Sequence, residues 1–312
     1  MMVLKHKDSQ RLDLLFGLGV IGNEVLAKVR RAYRLQATTV PFSWEPALQV
    51  DSLARLSSIV KQACEGFNRG AGVPRLNVLW AAGRGGFDLD PATFEAELTS
   101  FRHVVDFAAD FEKHSGLPVA FHMLSSAGGL YEGQTGVSPH STPDPRRPYG
   151  TLKLAQEAYL KAACTLAGRH IYRPSTVYGF SGFEKRMGLV AKLIWGKTDG
   201  RLSSVFVPLQ TIRDYLFVGD VARYVAGKMA LAEPATYNTY ILASGKPTSI
   251  GEVIRTIDRV VPGRAYLHLR PRDFNRENNS FSPQVVAEGL RPTDLETGIR
   301  IIYSQMISQG RW

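Results

Sequence analysis

The sequence predicts an α/β fold: a doubly wound parallel sheet followed by a smaller mixed α/β lobe. Strand-like and helix-like patterns alternate along the chain to about residue 180, as expected for a parallel sheet with helices on both faces. From about residue 181, shorter segments are separated by glycine and proline. We therefore expect a first domain over residues 1–180, with a returning strand near 236–242, and mostly the lobe over 181–312.

The first element is a short buried strand that runs into a glycine-rich turn. Leu14–Phe16 leads directly into Gly17-Leu18-Gly19-Val20-Ile21-Gly22, and a helix follows with one apolar face, formed by Val25, Leu26 and Val29. This context favours dinucleotide binding, because the phosphates rest on the N-terminus of such a helix. Gly17 would permit the tight turn, Gly19 the approach of a pyrophosphate, and Gly22 close packing of helix on strand.

Two amphipathic helices flank the next strand. The first has apolar residues at Leu53, Leu56, Ile59, Val60 and Ala63, and the second at Phe94, Leu98, Phe101, Val104, Val105 and Ala108. The strand between them ends in Ala81-Ala82-Gly83.

A later strand ends in two hydroxyl side chains. Phe121–Leu124 is followed by Ser125 and Ser126, and then by an Ala-Gly-Gly stretch at 127–129 that we expect to be flexible. A hydroxyl at the carboxyl end of a strand points into the crevice where open α/β sheets bind ligands, so either serine can bind a reacting oxygen. Both serines can equally cap the next turn.

Tyr149 and Lys153 lie four residues apart on a predicted helix, and therefore on one face, one turn apart. A free tyrosine has a pKa of about 10, and a nearby cation lowers that pKa toward the range in which the phenol can act as a base. Tyr-x-x-x-Lys also occurs on ordinary exposed helices, so the pair gains its meaning from the glycine turn and the serines.

Composition narrows the classes of partner. The formal net charge is +10, yet Lys and Arg are scattered without a basic tail or basic-aromatic module, so anionic small substrates explain the charge and we expect no nucleic acid. Cys64 and Cys164 form no C-x-x-C motif, which fits a reducing cytosol. No apolar run approaches the ~18 residues that a membrane span needs. We therefore expect a cytoplasmic protein without a membrane partner. We also expect no metal, since the histidines lack ligand spacing.

Together these residues have the order and spacing of a known family. The chain resembles an extended short-chain dehydrogenase/reductase of the nucleotide-sugar epimerase and dehydratase group. Four further segments carry the likeness over nearly the whole chain: Val78–Gly83, Tyr172–Gly179, Ile212–Ala222 with its Arg-Asp-Tyr run, and Arg270–Asp273.

The resemblance implies a Rossmann fold that binds NAD or NADP. The cofactor-binding residues would be Gly17, Gly19, Val20, Ile21, Gly22, Ala81, Ala82, Gly83, Ser125, Tyr149, Lys153, Pro174, Ser175, Thr176 and Val177. Tyr149 would be the catalytic acid and base, Lys153 would lower its pKa and bind the nicotinamide ribose, and Ser126 would hold the sugar oxygen. Ser125 is the alternative for that last role, because the glycines leave the register uncertain by one.

The resemblance also implies a nucleotide-diphosphate sugar as substrate, held by Ser126, Tyr131, Tyr178, Arg213 and Arg270. A guanidinium can bind phosphate oxygens through two parallel hydrogen bonds, although arginines of a basic protein are commonly surface groups. The two tyrosines are more typical of a pocket wall than of a catalyst. Asp214 is expected to brace the lobe rather than to contact substrate.

Departures from the family limit the reaction. Dehydratases of this group carry Thr-Asp-Glu where this chain has Ser126-Ala127-Gly128, so 4,6-dehydration is disfavoured. Epimerisation at C4 through a 4-keto intermediate remains, with an NADPH-dependent 4-ketoreductase as the alternative. A reductase of a non-sugar carbonyl and a catalytically silent binding protein also stay open.

The cofactor itself is not resolved. Residues 38–44 contain neither the acidic residue that binds an adenine ribose in NAD enzymes nor an arginine for the phosphate of NADP. The family's acidic third-strand motif is not recognisable, because residues 51–76 read as a helix and a loop.

Members of the family usually dimerise through a four-helix bundle, which here corresponds to residues near 93–113 and 149–167. We expect a homodimer on that basis. The apolar residues on these helices, which would either be exposed for the partner or face the sheet, are Phe101, Val105, Tyr159 and Leu166.

Overall fold

The computed structural model describes residues 1–65, 67, 74–83, 89–231, 236–270 and 276–310. The chain forms two compact units. The first contains Met1–Leu130, Pro145–Arg173 and Val225–Tyr240, and the second contains Tyr131–Asp144, Pro174–Tyr224 and Ile241–Trp312. Whether the expected boundary near residue 180 separates two domains stays a prediction.

The strands are β1 (Met2–His6), β2 (Arg11–Phe16), β3 (Leu35–Thr39), β4 (Arg75–Trp80), β5 (Val119–Leu124), β6 (Gly168–Pro174), β7 (Thr176–Tyr178), β8 (Leu202–Val205), β9 (Ile212–Phe217), β10 (Thr236–Leu242), β11 (Pro247–Ser249) and β12 (Tyr266–Leu269). The helices are α1 (Val20–Ala32), α2 (Gln49–Glu65), α3 (Pro91–Ser115), α4 (Ala127–Leu130), α5 (Pro148–Ala162), α6 (Leu189–Thr198), α7 (Val218–Ala230), α8 (Ile250–Val260) and α9 (Leu295–Ser308).

A seven-stranded sheet organises the first unit, in the order β10-β6-β5-β4-β2-β1-β3. β2, β4, β5 and β6 pair in parallel, so the carboxyl ends of these strands meet at one edge. β1 departs from this pattern, because it is antiparallel to both β2 and β3. The mostly parallel sheet with flanking helices confirms the predicted α/β fold class.

Local signals set the ends of the long helix α3. Pro91 follows the N-cap residue Asp90, whose side chain accepts a hydrogen bond from the Thr93 N–H. Gly116 ends the helix in the left-handed region, with a φ of 67°. Between these ends, the apolar face packs into the core formed with the sheet.

Phe101, Val105 and Leu166 belong to that core and are at most 3% exposed. These three residues, considered for a dimer surface, therefore face the interior, which was the alternative given from the sequence. Tyr159 is half-buried, and its hydroxyl donates to Asp106. Burial, and to a smaller extent the contact with Asp106, raises the pKa of Tyr159 to about 12.

Strand β1 is absent from the sequence-based expectation, because residues 1–13, which contain it, are polar and charged as a whole. In the structure, the charges near it are paired: the buried Asp13 carboxylate accepts from Arg11 Nη2 at 2.7 Å and lies 2.8 Å from His6 Nε2. Asn77 donates to the same carboxylate at 2.7 Å. Pairing of this kind allows polar side chains to enter a core that periodicity alone assigns to apolar residues.

The Ala-Gly-Gly stretch expected to be flexible is instead the one-turn helix α4. Ser126 Oγ accepts a hydrogen bond from the Gly129 N–H at 3.1 Å, so a serine cap fixes the turn in spite of its glycines.

The second unit is built around small sheets. β9 pairs in parallel with β7 and antiparallel with β11, while β8 and β12 form a separate parallel pair. α6, α8 and α9 pack on one another, and α8 and α9 are capped by Ser249 and Asp294. In the part of the chain that the structure describes, no helix has the length and apolar character needed to cross a membrane.

Candidate active site

The glycine turn lies at the carboxyl end of β2, next to the end of β4. Gly17 has a φ of +89°, and a Cβ at this position would lie 2.5 Å from the backbone of Ala81 and Ala82. A Cβ on Gly22 would overlap the carbonyl oxygen of Gly17. A Cβ on Gly19 would meet nothing within 4 Å. Gly17 is thus required by the turn and its approach to the end of β4, Gly22 by the packing of α1 on that turn, and Gly19 borders open space.

Helix α1 begins at this turn in a way that suits an anion. Its N-cap residue, Gly19, makes no side-chain capping bond, and its first turn carries no acidic residue. The first N–H groups of an α-helix lack intrahelical partners and carry partial positive charge. Val20 and Ile21, which occupy this first turn, are half-buried.

A cavity of about 510 Å³ opens beside the glycine turn, within the first unit. This volume is in the usual range for small-molecule sites. The residues that line it come from the glycine turn, from the end of β4 and from α3, together with one aromatic from the loop after β3: Gly17, Leu18, Gly19, Trp44, Trp80, Ala81, Ala82, Gly83, Ala92, Thr93, Ala96, Glu97 and Ser100.

Tyr149 and Lys153 occupy the first two turns of α5. Lys153 Nζ lies 5.9 Å from the centroid of the Tyr149 ring and donates to Gln156 Oε1 at 3.1 Å. Burial lowers the pKa of Lys153 to about 8, against the opposing influence of Glu97 and Glu157. A buried ammonium close to the phenol favours the phenolate form, which is the electrostatic requirement for tyrosine to act as a base.

The Tyr149 ring packs on the neighbouring helix α4. A Cβ on Gly129 would come within 3.0 Å of Tyr149 Cδ1, so the ring packs directly on this glycine. A Cβ on Gly150 would overlap the Gly129 carbonyl oxygen, which brings the start of α5 against α4.

The two candidate serines have different surroundings. Ser126 is half-buried and caps α4 through its oxygen, which leaves its hydroxyl proton available for donation. Ser125 is buried, and its hydroxyl donates to Glu157 Oε1 at 2.5 Å. Ser125 has therefore already used its hydroxyl proton, whereas Ser126 has not.

Glu157, which is buried, forms an ion pair with the half-buried Arg173 next to Ser125. Arg173 donates to Glu157 twice, from Nε to Oε1 at 2.9 Å and from Nη2 to Oε2 at 2.5 Å. Glu157 follows Lys153 by four residues, so Tyr149, Lys153 and Glu157 form one row along α5.

The segment predicted to bracket the cofactor belongs to the second unit. Pro174 ends β6, and Thr176 and Val177 start β7. Ser175 is buried, and its hydroxyl donates to Asp214 Oδ1 at 2.7 Å. Asp214 is fully buried and also accepts from the backbone N–H groups of Ser244 and Gly245, in agreement with a bracing role.

Tyr131 and Tyr178 are core residues of the second unit. Tyr131 is 2% exposed and packs edge-on against Phe281. Tyr178 is 4% exposed, and a Cβ on Gly298 would overlap its hydroxyl oxygen. Burial, with Asp220 and Asp294, raises the pKa of Tyr178 far above its ordinary value, so this phenol stays protonated.

The two arginines expected to hold phosphate also lie in the second unit. Arg213 is half-buried on β9 and donates to the Glu277 carbonyl, while Arg270 is exposed after β12 and donates to His268 Nε2 at 2.9 Å. The rest of that predicted motif, residues 271–273, lies outside the described residues. A cavity of about 530 Å³ in this unit is lined by Val207, Pro208, Leu209, Gln210, Thr211, Leu269, Arg276 and Asn278.

Three side chains of the first unit that lie at the site are not predicted from the sequence. Trp44 and Glu97 line the cavity beside the glycine turn, and Glu157 anchors Ser125. The spacing of Glu157 from Lys153 was available as a signal, whereas Trp44 and Glu97 reach the site through strand order and helix packing. Within the described ranges, no cluster of three or more His, Cys, Asp or Glu is arranged to hold a metal ion.

Comparison with solved structures gives the same fold over nearly the whole chain. UDP-glucose 4-epimerase of Thermus thermophilus in complex with NAD is 20% identical, with a TM-score of 0.73 over 97% of this chain and 100% of that one. UDP-glucose 4-epimerase of Thermotoga maritima with UDP-glucose is 17% identical, with a TM-score of 0.72 over 95% and 98%. The protein RMD of Pseudomonas aeruginosa in complex with NADPH is 22% identical, with a TM-score of 0.71 over 97% and 100%.

A search of curated protein sequences gave no significant match. A sequence model of the NAD dependent epimerase/dehydratase family matches residues 84–241, about half of the chain, including the segment that carries Tyr149 and Lys153. The resemblance stated from the motifs is thereby confirmed, and the chain belongs to the NAD dependent epimerase/dehydratase family, within the extended short-chain dehydrogenases/reductases.

Proposed function

We propose that the protein is an NAD(P)-dependent nucleotide-sugar epimerase that inverts C4 of the sugar through a 4-keto intermediate. The observation that carries this proposal is the row on α5, in which the buried Lys153 ammonium lies 5.9 Å from the Tyr149 ring. Among the described residues at the serine site, Ser126, Ala127 and Gly128 supply no carboxyl group, so elimination of water lacks its acid and base.

The residues of the first unit fit a dinucleotide. Gly17 and Gly22 allow α1 to start directly above β2, and the open space at Gly19 admits phosphate oxygens to the helix N-terminus. Gly17, Gly19, Val20, Ile21 and Gly22 would hold the pyrophosphate. Ala81, Ala82 and Gly83 at the end of β4 line the same cavity and would lie beside the cofactor. Lys153 would bind the nicotinamide ribose. Pro174, Ser175, Thr176 and Val177 remain proposed cofactor contacts. When bound, the nicotinamide supplies reversible hydride transfer, which oxidises C4 of the sugar and then reduces it from the other face.

Tyr149 moves the proton in both halves of the reaction. Its phenolate oxygen takes the proton from the C4 hydroxyl as the ketone forms and returns that proton when the alcohol is restored. The Ser126 hydroxyl donates a hydrogen bond to the same sugar oxygen and holds that oxygen in line with Tyr149. Lys153 stabilises the phenolate, and Glu157 holds Ser125 in place through the 2.5 Å hydrogen bond.

A nucleotide-diphosphate sugar is the proposed substrate class. Arg213 and Arg270 would neutralise its diphosphate, and Tyr131 and Tyr178 would support the pocket wall. Solved relatives with this fold contain UDP-glucose, and another, from Bacillus cereus, contains UDP-glucuronic acid and NAD. Those ligands belong to the named relatives, and they support the same class for this chain.

One observation favours a second candidate, an NADPH-dependent 4-ketoreductase. β3, the strand that follows α1 and would lie beside β2 in the usual order, is separated from β2 by β1, so it lies further from the proposed adenine end of the site. Weaker retention of the cofactor would suit an enzyme that exchanges it at every turnover. A reductase of a non-sugar carbonyl and a silent binding protein are less consistent with the arginines and with the intact Tyr149 and Lys153.

The function can be tested on the purified chain with a panel of UDP-sugars and their 4-keto derivatives, with products identified by NMR. We expect interconversion of C4 epimers, and a loss of about 10²- to 10⁴-fold in kcat for Tyr149→Phe, the range for removal of a general acid and base. Full turnover by Tyr149→Phe would refute the mechanism. Mass spectrometry of the nucleotide released on denaturation separates the candidates, because tightly held NAD favours the epimerase and an empty site that binds NADPH favours the ketoreductase.

We also propose a cytoplasmic homodimer. The half-buried Tyr159 and the exposed residues of α3 and α5 would form the contact surface, since the apolar residues of these helices face the sheet. Light scattering at micromolar concentration measures the mass directly, and a monomer would contradict the proposal.

A further inference from the structure

The insertion of β1 changes the edge of the sheet where the adenosine half of a dinucleotide would lie. β1 pairs with β2 from Met2 to Lys5 and with β3 from Met2 to His6. Adjacent strands are about 4.8 Å apart, so β3 lies roughly 10 Å from β2 instead of directly beside it. A side chain at the end of β3 therefore starts one strand further from the glycine turn than the residue that binds the ribose in a doubly wound sheet of the usual order.

The chain that leaves β3 returns over the gap with two aromatic residues. The Phe42 ring lies 5.0 Å from that of Phe16 and 4.9 Å from that of Trp44, measured between centroids. Trp44 then contacts Trp80 at 5.9 Å. These edge-on contacts fix the Trp44 indole, which is half-buried and lines the same cavity as Gly17, Leu18 and Gly19.

The cavity carries little charge near Trp44. Among the described residues that line it, the charged one is Glu97, which lies toward Gly83: its Oε2 is 3.7 Å from the position of a Cβ on that glycine. Helix α3 also contributes the uncharged residues Ala92, Thr93, Ala96 and Ser100 to the lining. Ser100 Oγ accepts from Gln49 at 2.7 Å. Neither a carboxylate to bind a ribose diol nor a guanidinium to bind a 2′-phosphate lines this end of the described cavity.

We propose that Trp44 is the wall on which the adenine ring stacks, and that this stacking replaces a charged ribose anchor, so that NADH and NADPH bind with similar affinity. The inference rests on the dinucleotide site of the proposed function. A fixed indole presents a large flat face to a purine, and such stacking depends on the base and not on the substituent of the ribose.

Isothermal titration calorimetry of NADH, NADPH and ADP-ribose on the purified chain tests the inference without reference to turnover. Trp44→Leu and Trp44→Phe form the test pair, because both fill the apolar site and one keeps an aromatic face. Trp195→Phe is the control, since Trp195 packs against Phe183 and Arg201 in the second unit. Circular dichroism melting shows that each variant is folded.

We expect Trp44→Leu to weaken all three ligands by about 10- to 100-fold, the range measured when a stacking aromatic is removed, while Trp44→Phe stays within about threefold of the original chain. ADP-ribose should lose as much as NADH, because it carries the adenine without the nicotinamide. Equal binding of the ligands by Trp44→Leu and the original chain would refute the stacking wall alone. A preference of the original chain above about 100-fold between NADH and NADPH would refute the uncharged adenosine end. Failure of the original chain to bind any of the three would refute the dinucleotide site and, with it, the proposed function.

Discussion

The Glu157→Gln substitution tests how strongly the row on α5 is held by buried charge. Glu157 is 4% exposed, and its two oxygens accept three hydrogen bonds from Arg173 and Ser125. The variant keeps the shape and one acceptor oxygen, but it removes the negative charge that Glu157 places against the Arg173 guanidinium, whose side chain is 14% exposed. Removal of one partner from a buried pair costs 3–5 kcal/mol, and the residual exposure of Arg173 places the expected loss near the lower end, at about 3 kcal/mol.

Urea denaturation followed by circular dichroism measures this loss. Glu296→Gln is the matched control, because Glu296 pairs with Arg259 and Arg300, whose side chains are more than half exposed, and exposed pairs contribute little to stability. The double variant Glu157→Gln with Arg173→Gln also removes the cation that faced the lost carboxylate and should recover part of the stability. An equal effect of Glu157→Gln and Glu296→Gln would refute the argument.

The same substitution reports on Lys153. Glu157 is one of the charges that hold the pKa of Lys153 up against burial, which lowers it to about 8. Without that carboxylate, the ammonium is lost at a lower pH, and the alkaline limb of the kcat profile should move to lower pH in Glu157→Gln. A stability defect alone would lower the amount of folded enzyme without moving that limb.

The remaining predictions concern charge and packing in the first unit. In the original chain kcat should fall as pH rises through about 8, because Lys153 loses the proton that stabilises the Tyr149 phenolate; a flat profile to pH 9.5 would contradict this role. Gly22→Ala should lower both the melting temperature and NADH affinity, because its Cβ overlaps Gly17, whereas Gly19→Ala should lower affinity alone, since its Cβ meets no protein atom. Burial raises the pKa of Asp13, but hydrogen bonds from His6 and Arg11 outweigh this and lower it to about 2, so the carboxylate contributes about 2 kcal/mol that is lost as pH falls from about 4 to 2. Asp13→Asn should remove that acid dependence in urea denaturation. Burial lowers the pKa of His122 well below its ordinary 6.5, so stability should also fall below pH 6.5, more steeply than in His122→Gln.

The sequence predicts those parts of the fold that local signals encode. The strand Thr236–Leu242 and the helix with Val25, Leu26 and Val29 are where periodicity places them, because apolar spacing is a direct consequence of which face is buried. β1 is not predicted, because the charges of His6 and Arg11 beside it are compensated only by contact with Asp13, which the sequence does not show. Trp44 escapes because its place at the cavity depends on a strand order that no single segment encodes. Ser126 illustrates a third limit, because the sequence does not show that its oxygen caps α4 while its hydroxyl proton stays available for donation.

The charges on α5 are costly for stability, and their arrangement indicates why they are kept. Burial of Lys153 works against folding at neutral pH, because its lowered pKa means that the unfolded chain binds the proton more tightly. The Glu157–Arg173 pair is likewise a weak contributor to stability compared with well-packed apolar residues. An apolar face on α5 would therefore hold the helix to the sheet at least as well, and what such a face cannot do is favour a phenolate at Tyr149. Local departures from the rules of core packing are expected at functional sites. The row Tyr149, Lys153 and Glu157 is such a departure, and its cost to stability points to a catalytic role without reference to family membership.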